Sequence, residues 1–148
     1  MKIVNYISIL LGVIQASFRY FALVFAFAFI FGTVRVLFVV DQLGGNELLA
    51  VLIELPFVLW VSWLAAKHVL YLYLESTENK FQRAAVGALA FVLLQGAEWK
   101  LSKQMYGLSG REYIREQLNS AKGVLGILGQ LVFALIPLFV NTKIKEKQ

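Results

Sequence analysis

The fold is decided by residues 20–40, YFALVFAFAFIFGTVRVLFVV, in which Arg35 is the single charged side chain. An α-helix needs about 20 consecutive apolar residues to cross the ~30 Å hydrocarbon core of a lipid bilayer. This stretch has that length and that composition. It therefore predicts a transmembrane helix and places the chain among integral membrane proteins.

Three further stretches have the same character: residues 47–70, 84–101 and 124–140. A turn containing Gly and Asn separates the first two spans, and a charged connector at 75–83 precedes the third. We therefore expect an all-α fold, an integral membrane bundle of four transmembrane helices that forms a single transmembrane domain over residues 1–148.

The composition supports a membrane protein and argues against a soluble one. Hydrophobic residues make up 59% of the chain and charged residues 16%, against roughly 45–50% and about 25% in soluble domains, and the mean hydropathy is +0.72. The net charge of +5 comes mostly from Lys and Arg at the edges of apolar stretches, so we expect membrane lipid as a partner and no nucleic acid. The chain has no cysteine, which excludes disulfides and thiolate metal sites, and we expect no metal and no cofactor.

The segment before the first span, residues 3–18, has a different pattern. Polar or small residues recur there at steps of three and four: Asn5, Ser8, Gly12, Gln15 and Arg19. Such a stripe is typical of an amphipathic helix that lies in the membrane interface. One long tilted helix over residues 3–40 is the alternative. The start of the chain also has the form of a signal peptide, which we expect to be retained.

A second short helix is predicted at residues 110–119, between the third and fourth spans. Ser109 and Glu112 have the spacing of a capping box, in which a hydroxyl and a carboxylate satisfy each other's backbone donors. Tyr113, Ile114 and Leu118 then share one side of the helix. We expect this helix to rest on the outer membrane surface.

The distribution of basic residues predicts the orientation. With the N-terminus inside, the inner side carries eight of them: Lys2, Arg19, Lys67, Lys80, Arg83, Lys143, Lys145 and Lys147. The outer side carries five: Lys100, Lys103, Arg111, Arg115 and Lys122. This excess predicts a multi-pass protein with both termini in the cytoplasm.

Four polar residues from four spans fall at about the same depth below the outer surface: Arg35, Glu54, Glu98 and Gln130. An ionisable side chain in hydrocarbon costs at least about 2.5–3.5 kcal/mol, so it usually faces the bundle and finds a partner. Gln95 precedes Glu98 by three residues and shares its helix face. We therefore expect an intramembrane polar cluster, with Arg35 paired to Glu54, to Glu98 or to both.

Small residues and prolines surround the predicted cluster. Ala28 and Gly32 share a helix face with Arg35, and on the fourth span a stripe of small or polar residues contains Gly123, Gly126, Gln130, Ala134, Pro137 and Asn141. Such residues allow helices to approach closely. Pro56, two residues after Glu54, and Pro137 are expected to kink their helices and free a backbone carbonyl.

The cluster supports two functional hypotheses. One arginine with two glutamates leaves one proton exchangeable, so the protein would bind or conduct protons or small cations, as a homo-oligomer if one bundle encloses too little room. Alternatively, the cluster is structural and the protein is a non-catalytic accessory or scaffold subunit of a larger membrane complex, with the stripe on the fourth span as its docking face. His68 is the single histidine and no nucleophile has a base nearby, so we expect no enzyme activity.

The chain also resembles a group of small bacterial membrane proteins with four helices. The matching residues are 32–37 (GTVRVL), Glu54-Leu55-Pro56, Glu98, and Ser109 to Tyr113. These pieces cover the first three spans and the predicted surface helix. The resemblance implies a bacterial origin and a plasma-membrane location, and it implies no activity.

Overall fold

The computed structural model describes residues 2–39, 42–74 and 79–140, and within them the fold is all-α, with no strand. The predicted features at Val40, Asp41, Glu75, Asn141, Lys143, Lys145 and Lys147 lie outside these residues. The helices are α1, Lys2–Val34, which a π-helical turn continues over Arg35–Val39; α2, Glu47–Tyr73; α3, Lys80–Tyr106; α4, Gly110–Asn119; and α5, Ala121–Phe139.

Four of these helices, α1, α2, α3 and α5, are long and apolar enough to cross a membrane. The α3 and α5 helices begin before the predicted apolar spans, because capping side chains rather than hydropathy set where a helix begins. The side chains of Asn46, Asn79 and Ser120 accept hydrogen bonds from the first turns of α2, α3 and α5. Gly107 ends α3 in the left-handed conformation, at φ 69°, which glycine adopts without steric cost.

The break predicted between residues 3–18 and the first span has no counterpart, since α1 is continuous from Lys2 to Val34. Val13 and Ala16 already belong to the buried core, and a Cβ atom at Gly12 would lie 2.8 Å from the carbonyl oxygen of Tyr73 at the end of α2. The helix therefore runs without interruption from this segment into the first span. That the first turns of α1 lie in the membrane interface stays a prediction.

The helices form a bundle in which α1 and α5 each pack against α2 and α3, while α4 packs mainly against α5. We call the end that contains α4 the α4 end, and the end where α2 stops and α3 starts the opposite end. The core is centred toward the opposite end, and its largest cluster comprises Val13, Ala16, Tyr20, Val24, Ala65, Ala66, Val69, Leu70, Leu74, Val86, Ala90, Leu94, Phe133, Ile136 and Val140.

Close packing of α3 on α5 depends on Gly87. A Cβ atom at this position would lie 1.9 Å from the carbonyl oxygen of Ala134, far inside van der Waals contact, so a larger residue would push the two helices apart. Ala134 belongs to the small-residue stripe predicted on the fourth span. That part of the stripe therefore packs inside the bundle.

The centre of the bundle contains a polar contact that joins the first helix to the last. The hydroxyl of Tyr20, which is fully buried, donates to the carbonyl oxygen of Phe133 at 2.8 Å, and the two rings stack with centroids 4.5 Å apart. In an α-helix this carbonyl would accept from the N–H of residue 137, but Pro137 has none. Tyr20 thus replaces the donor that the proline removes.

Candidate intramembrane polar site

The first polar group of the site is an ion pair between α1 and α2. Arg35 lies at the start of the π-helical turn, and its Nη1 atom is 3.0 Å from Oε2 of Glu54. The side chains are 26% and 15% exposed. A Cβ atom at Gly32, one turn earlier, would lie 3.9 Å from Oε1 of the same carboxylate. The face of α1 that carries Gly32 and Arg35 therefore faces Glu54.

The ion pair is a charge contact rather than a well-aligned hydrogen bond. Oε2 of Glu54 is buried and has no hydrogen-bond partner in the part of the chain that the structure describes, although the guanidinium nitrogen is within 3.0 Å. The two opposite charges still offset each other where hydrocarbon would penalise either one alone.

The second polar group, which we call the Glu98 network, consists of Glu98, Gln95, Gln130, Tyr113 and Gln117. The Tyr113 hydroxyl donates to Oε2 of Glu98 at 3.0 Å, and Nε2 of Gln130 donates to the same oxygen at 2.7 Å. Gln95 donates in turn to Oε1 of Gln130, and Gln117 donates to the Tyr113 hydroxyl at 3.2 Å. The network therefore joins α3, α4 and α5.

The predicted single cluster is thus two separate groups. Among residues 2–39, 42–74 and 79–140, Arg35 pairs with Glu54 and makes no ion pair with Glu98. The reason is the arrangement of the helices: Arg35 lies on the side of α1 that faces α2, whereas Glu98 contacts side chains of α4 and α5.

The two groups nevertheless lie at a similar depth. A Cβ atom at Gly129 would be 2.5 Å from Cδ1 of Leu55, so these two residues face each other between α5 and α2. Leu55 follows Glu54 in the sequence and Gly129 precedes Gln130. One residue corresponds to a 1.5 Å rise along a helix, so the two groups differ little in level.

Glu98 differs from Glu54 in having only neutral partners. Both hydrogen bonds that it accepts go to Oε2, from a phenol and from an amide. Its other oxygen, Oε1, accepts no hydrogen bond from the described residues. Burial and the neighbouring Glu98 carboxylate raise the pKa of Tyr113, which keeps the phenol protonated as a donor.

Sequence reasoning missed Tyr113 and Gln117 as members of the site. Tyr113 was predicted to share a membrane-facing side with Ile114 and Leu118, but it is 7% exposed whereas they are 58% and 60% exposed. Tyr113 and Gln117 are four residues apart, so they lie on one face of α4. A polar pair at this spacing in an amphipathic helix is the signal that would have indicated a face turned toward the bundle.

Local capping holds α4 in place above Glu98. The side chain of Ser109 accepts from the backbone N–H of Glu112, and the Glu112 carboxylate accepts from the backbone N–H of Ser109 at 2.8 Å, so the predicted capping box is formed. A Cβ atom at Gly110 would lie 3.5 Å from the indole nitrogen of Trp99 on α3. The start of α4 therefore packs directly on the last turns of α3.

The two predicted kink prolines have different environments, although α2 and α5 continue through them. Pro137 is buried, and Tyr20 satisfies the carbonyl that it frees. Pro56 frees the carbonyl of Leu52, and within the described ranges no side chain donates to that atom.

The predicted packing residues are also used in different ways. Gly123 is buried at the turn from α4 into α5, where a Cβ atom would lie 2.3 Å from the carbonyl oxygen of Gln117. Gly126 has no neighbouring atom within 4 Å of such a Cβ. Ala28 is half-buried on α1. Gly123 and Pro137, two residues of the predicted docking face on α5, are buried in the bundle.

The carboxylate of Glu98 is the group in this site that can hold a proton or a cation. In the described part of the chain, no three side chains of His, Cys, Asp or Glu come together as metal ligands would, and His68 is exposed. No family model matches the chain, and comparison with curated proteins and with solved structures gives no match.

Proposed function

We propose that this chain is a bacterial plasma-membrane protein that binds a proton or a small cation at Glu98, and that this carboxylate exchanges its ligand with the aqueous phase at the α4 end. The observation that carries the proposal is that Glu98 lies in a membrane-spanning helix with neutral hydrogen-bond partners only. An ionised carboxylate without a counter-charge is strongly disfavoured there, so it takes up a proton or a cation.

The geometry around Glu98 leaves one position for that ligand. Tyr113 and Gln130 direct their donors to Oε2, so Oε1 is the atom that would carry the proton or contact the cation. Because Tyr113 belongs to α4, outside the spans, the site is near the end of the bundle. The excess of basic residues supports a location of this end outside the cell, with both termini in the cytoplasm.

Binding fits the bundle better than conduction through it. Toward the opposite end, the buried residues of α3 that follow Glu98 are Leu94, Ala90, Gly87 and Val86, which offer no polar side chain to a proton or an ion before the buried Arg83 is reached. A pathway through a single bundle would have to cross this apolar stack. Flux would therefore require a homo-oligomer, with the pathway between copies.

Infrared difference spectroscopy tests the proposal. Wild-type protein in phosphatidylglycerol vesicles is compared between acidic and neutral pH, together with Glu98→Gln and, as a matched control, Glu54→Gln. We expect a carboxylic-acid C=O signal that is lost in Glu98→Gln, is retained in Glu54→Gln, and shifts when sodium replaces a large organic cation. A Glu98→Gln spectrum identical to wild type would refute the proposal.

A second candidate is supported by the way the polar contacts connect the helices. The ion pair joins α1 to α2, and the Glu98 network joins α3 to α4 and α5, as structural contacts in an accessory or scaffold subunit would do. Pull-down from native membranes in mild detergent is the test. A stoichiometric partner, together with unchanged binding in Glu98→Gln, would favour this candidate over ligand binding. Neither candidate is catalytic, and neither uses a cofactor.

A further inference from the structure

A groove of about 740 Å³ lies between α1 and α2 toward the opposite end of the bundle, away from the Glu98 network. Along α1 its lining runs from Ile14 to Leu23, which is about 14 Å at 1.5 Å per residue. The groove lies within two helices that are apolar enough to span a membrane, so its long axis runs with the lipid chains.

The walls of the groove are apolar and exposed. Phe18 and Leu72 are 59% and 54% exposed, and between them the groove is lined by Ala22 and the buried Val69. The small side chain of Ala22 leaves room between the helices. A narrow apolar channel of this kind, open on the side that faces hydrocarbon, is complementary to a lipid acyl chain.

The polar lining of the groove contains the cation Arg19. The guanidinium of Arg19 lies over the ring of Tyr73, 5.1 Å from its centroid, and Tyr73 is the last residue of α2. The guanidinium of Arg19 is therefore close to the end of α2. His68 lines the same groove, about 8 Å deeper along α2 at 1.5 Å per residue. Lys67 is exposed beside it.

We propose that this groove binds one anionic phospholipid, with its phosphate held by Arg19 and His68 and one acyl chain lying along Phe18, Ala22 and Leu72. A guanidinium matches the geometry of a phosphate because it presents parallel N–H donors. The charge of this guanidinium attracts the net negative charge of an anionic headgroup. A zwitterionic headgroup has no such net complementarity.

The proposal is tested by measuring lipid retention with native mass spectrometry. Purified protein is titrated with phosphatidylglycerol or phosphatidylcholine in detergent, for wild type, Arg19→Gln and Ala22→Phe. Arg111→Gln removes the same charge from an exposed position on α4 and serves as the matched control. Loss of a charge-assisted hydrogen bond corresponds to about tenfold weaker binding. We expect that loss for phosphatidylglycerol with Arg19→Gln, and wild-type binding with Arg111→Gln.

Further arms separate the headgroup from the chain and from other occupants. Ala22→Phe fills the groove and should weaken the binding of phosphatidylglycerol as well, whereas glycerol phosphate without acyl chains should not compete at equal concentration. Equal binding of both lipids by wild type, or equal losses in Arg19→Gln and Arg111→Gln, would overturn the proposal. A dimer that Ala22→Phe dissociates would do the same, since a second copy would then occupy the groove.

If Arg19→Gln does not fold, Arg19→Lys provides a second test, because lysine keeps the positive charge but lacks the parallel N–H donors of a guanidinium. Phosphatidylglycerol binding equal to wild type in Arg19→Lys would count against the role of the guanidinium.

Discussion

Replacing Tyr20 with phenylalanine removes one oxygen atom from the centre of the bundle and leaves a buried carbonyl without a donor. The lost hydrogen bond is the 2.8 Å contact to the Phe133 oxygen. An unsatisfied buried acceptor costs about 1–3 kcal/mol, and single hydrogen bonds between membrane helices contribute at most about 1.7 kcal/mol. We therefore expect Tyr20→Phe to lower the free energy of unfolding by about 1–2 kcal/mol.

Pro137 provides the matched background for this change. In Pro137→Ala the backbone N–H at position 137 is restored, and it can donate to the Phe133 carbonyl as in any α-helix. Tyr20→Phe should then cost less, because the carbonyl keeps one donor. The cavity that alanine leaves in place of the buried proline is present in both variants of that background, so it cancels in the double-mutant cycle. We expect a coupling energy of about 1 kcal/mol.

Reversible unfolding by sodium dodecyl sulfate in mixed micelles, followed by circular dichroism, measures all four proteins. Tyr71→Phe removes a hydroxyl from a side chain that is 55% exposed, so this control should unfold like wild type. Equal costs of Tyr20→Phe in the wild-type and Pro137→Ala backgrounds would show that the hydroxyl does not substitute for the missing backbone donor.

Two further predictions use the same unfolding assay. Gly87→Ala should destabilise the bundle by about 1–3 kcal/mol, because its Cβ would lie 1.9 Å from the Ala134 oxygen. Gly96→Ala is the control and should be neutral or stabilising, since a Cβ there has no neighbouring atom within 4 Å. Similar losses of stability in both variants would contradict the packing argument. The hydrogen bonds from the Ser109 side chain and backbone lower the pKa of Glu112. Because the pKa of Glu112 is lower in the folded state, these hydrogen bonds contribute fully to stability above the unfolded-state pKa of about 4.3. The contribution is lost as the pH falls through the folded-state pKa. Stability should therefore fall below about pH 4, and Glu112→Gln should remove that contribution; an unchanged pH profile in the variant would refute it.

The membrane spans and the pairing of Arg35 could be predicted because both depend on local pattern. A run of apolar residues indicates a span whatever its neighbours are, and a charge on the same helix face as Gly32 indicates the side that packs. Glu54 on the next helix is then the nearest carboxylate in the sequence that lies well inside an apolar span. The ion pair observed between Arg35 and Glu54 follows from these two considerations.

The partners of Glu98 and Tyr20 could not be predicted, because they depend on how distant segments fold back. Tyr113 reaches Glu98 only because α4 packs on the end of α3, and no helical periodicity within α3 contains that information. Tyr20 contacts Phe133 across 113 residues of sequence. In the hydropathy pattern Tyr20 is one more apolar residue of the first span, so the pattern does not indicate that its hydroxyl forms a buried hydrogen bond.

The division of the polar residues into two groups has a consequence for the order in which the chain is inserted. Arg35 and Glu54 belong to consecutive spans, so α1 and α2 can enter the bilayer as a hairpin whose charges already offset each other. Glu98 has no such partner on the span before it, because Gln130, which donates to it, lies 32 residues later on α5. Until α4 and α5 have been synthesised, α3 must therefore hold its carboxyl near the surface or enter as the uncharged acid. During membrane insertion, the buried charges of α1 and α2 can therefore pair with each other, whereas Glu98 on α3 obtains its hydrogen-bond partners only when α4 and α5 have been made.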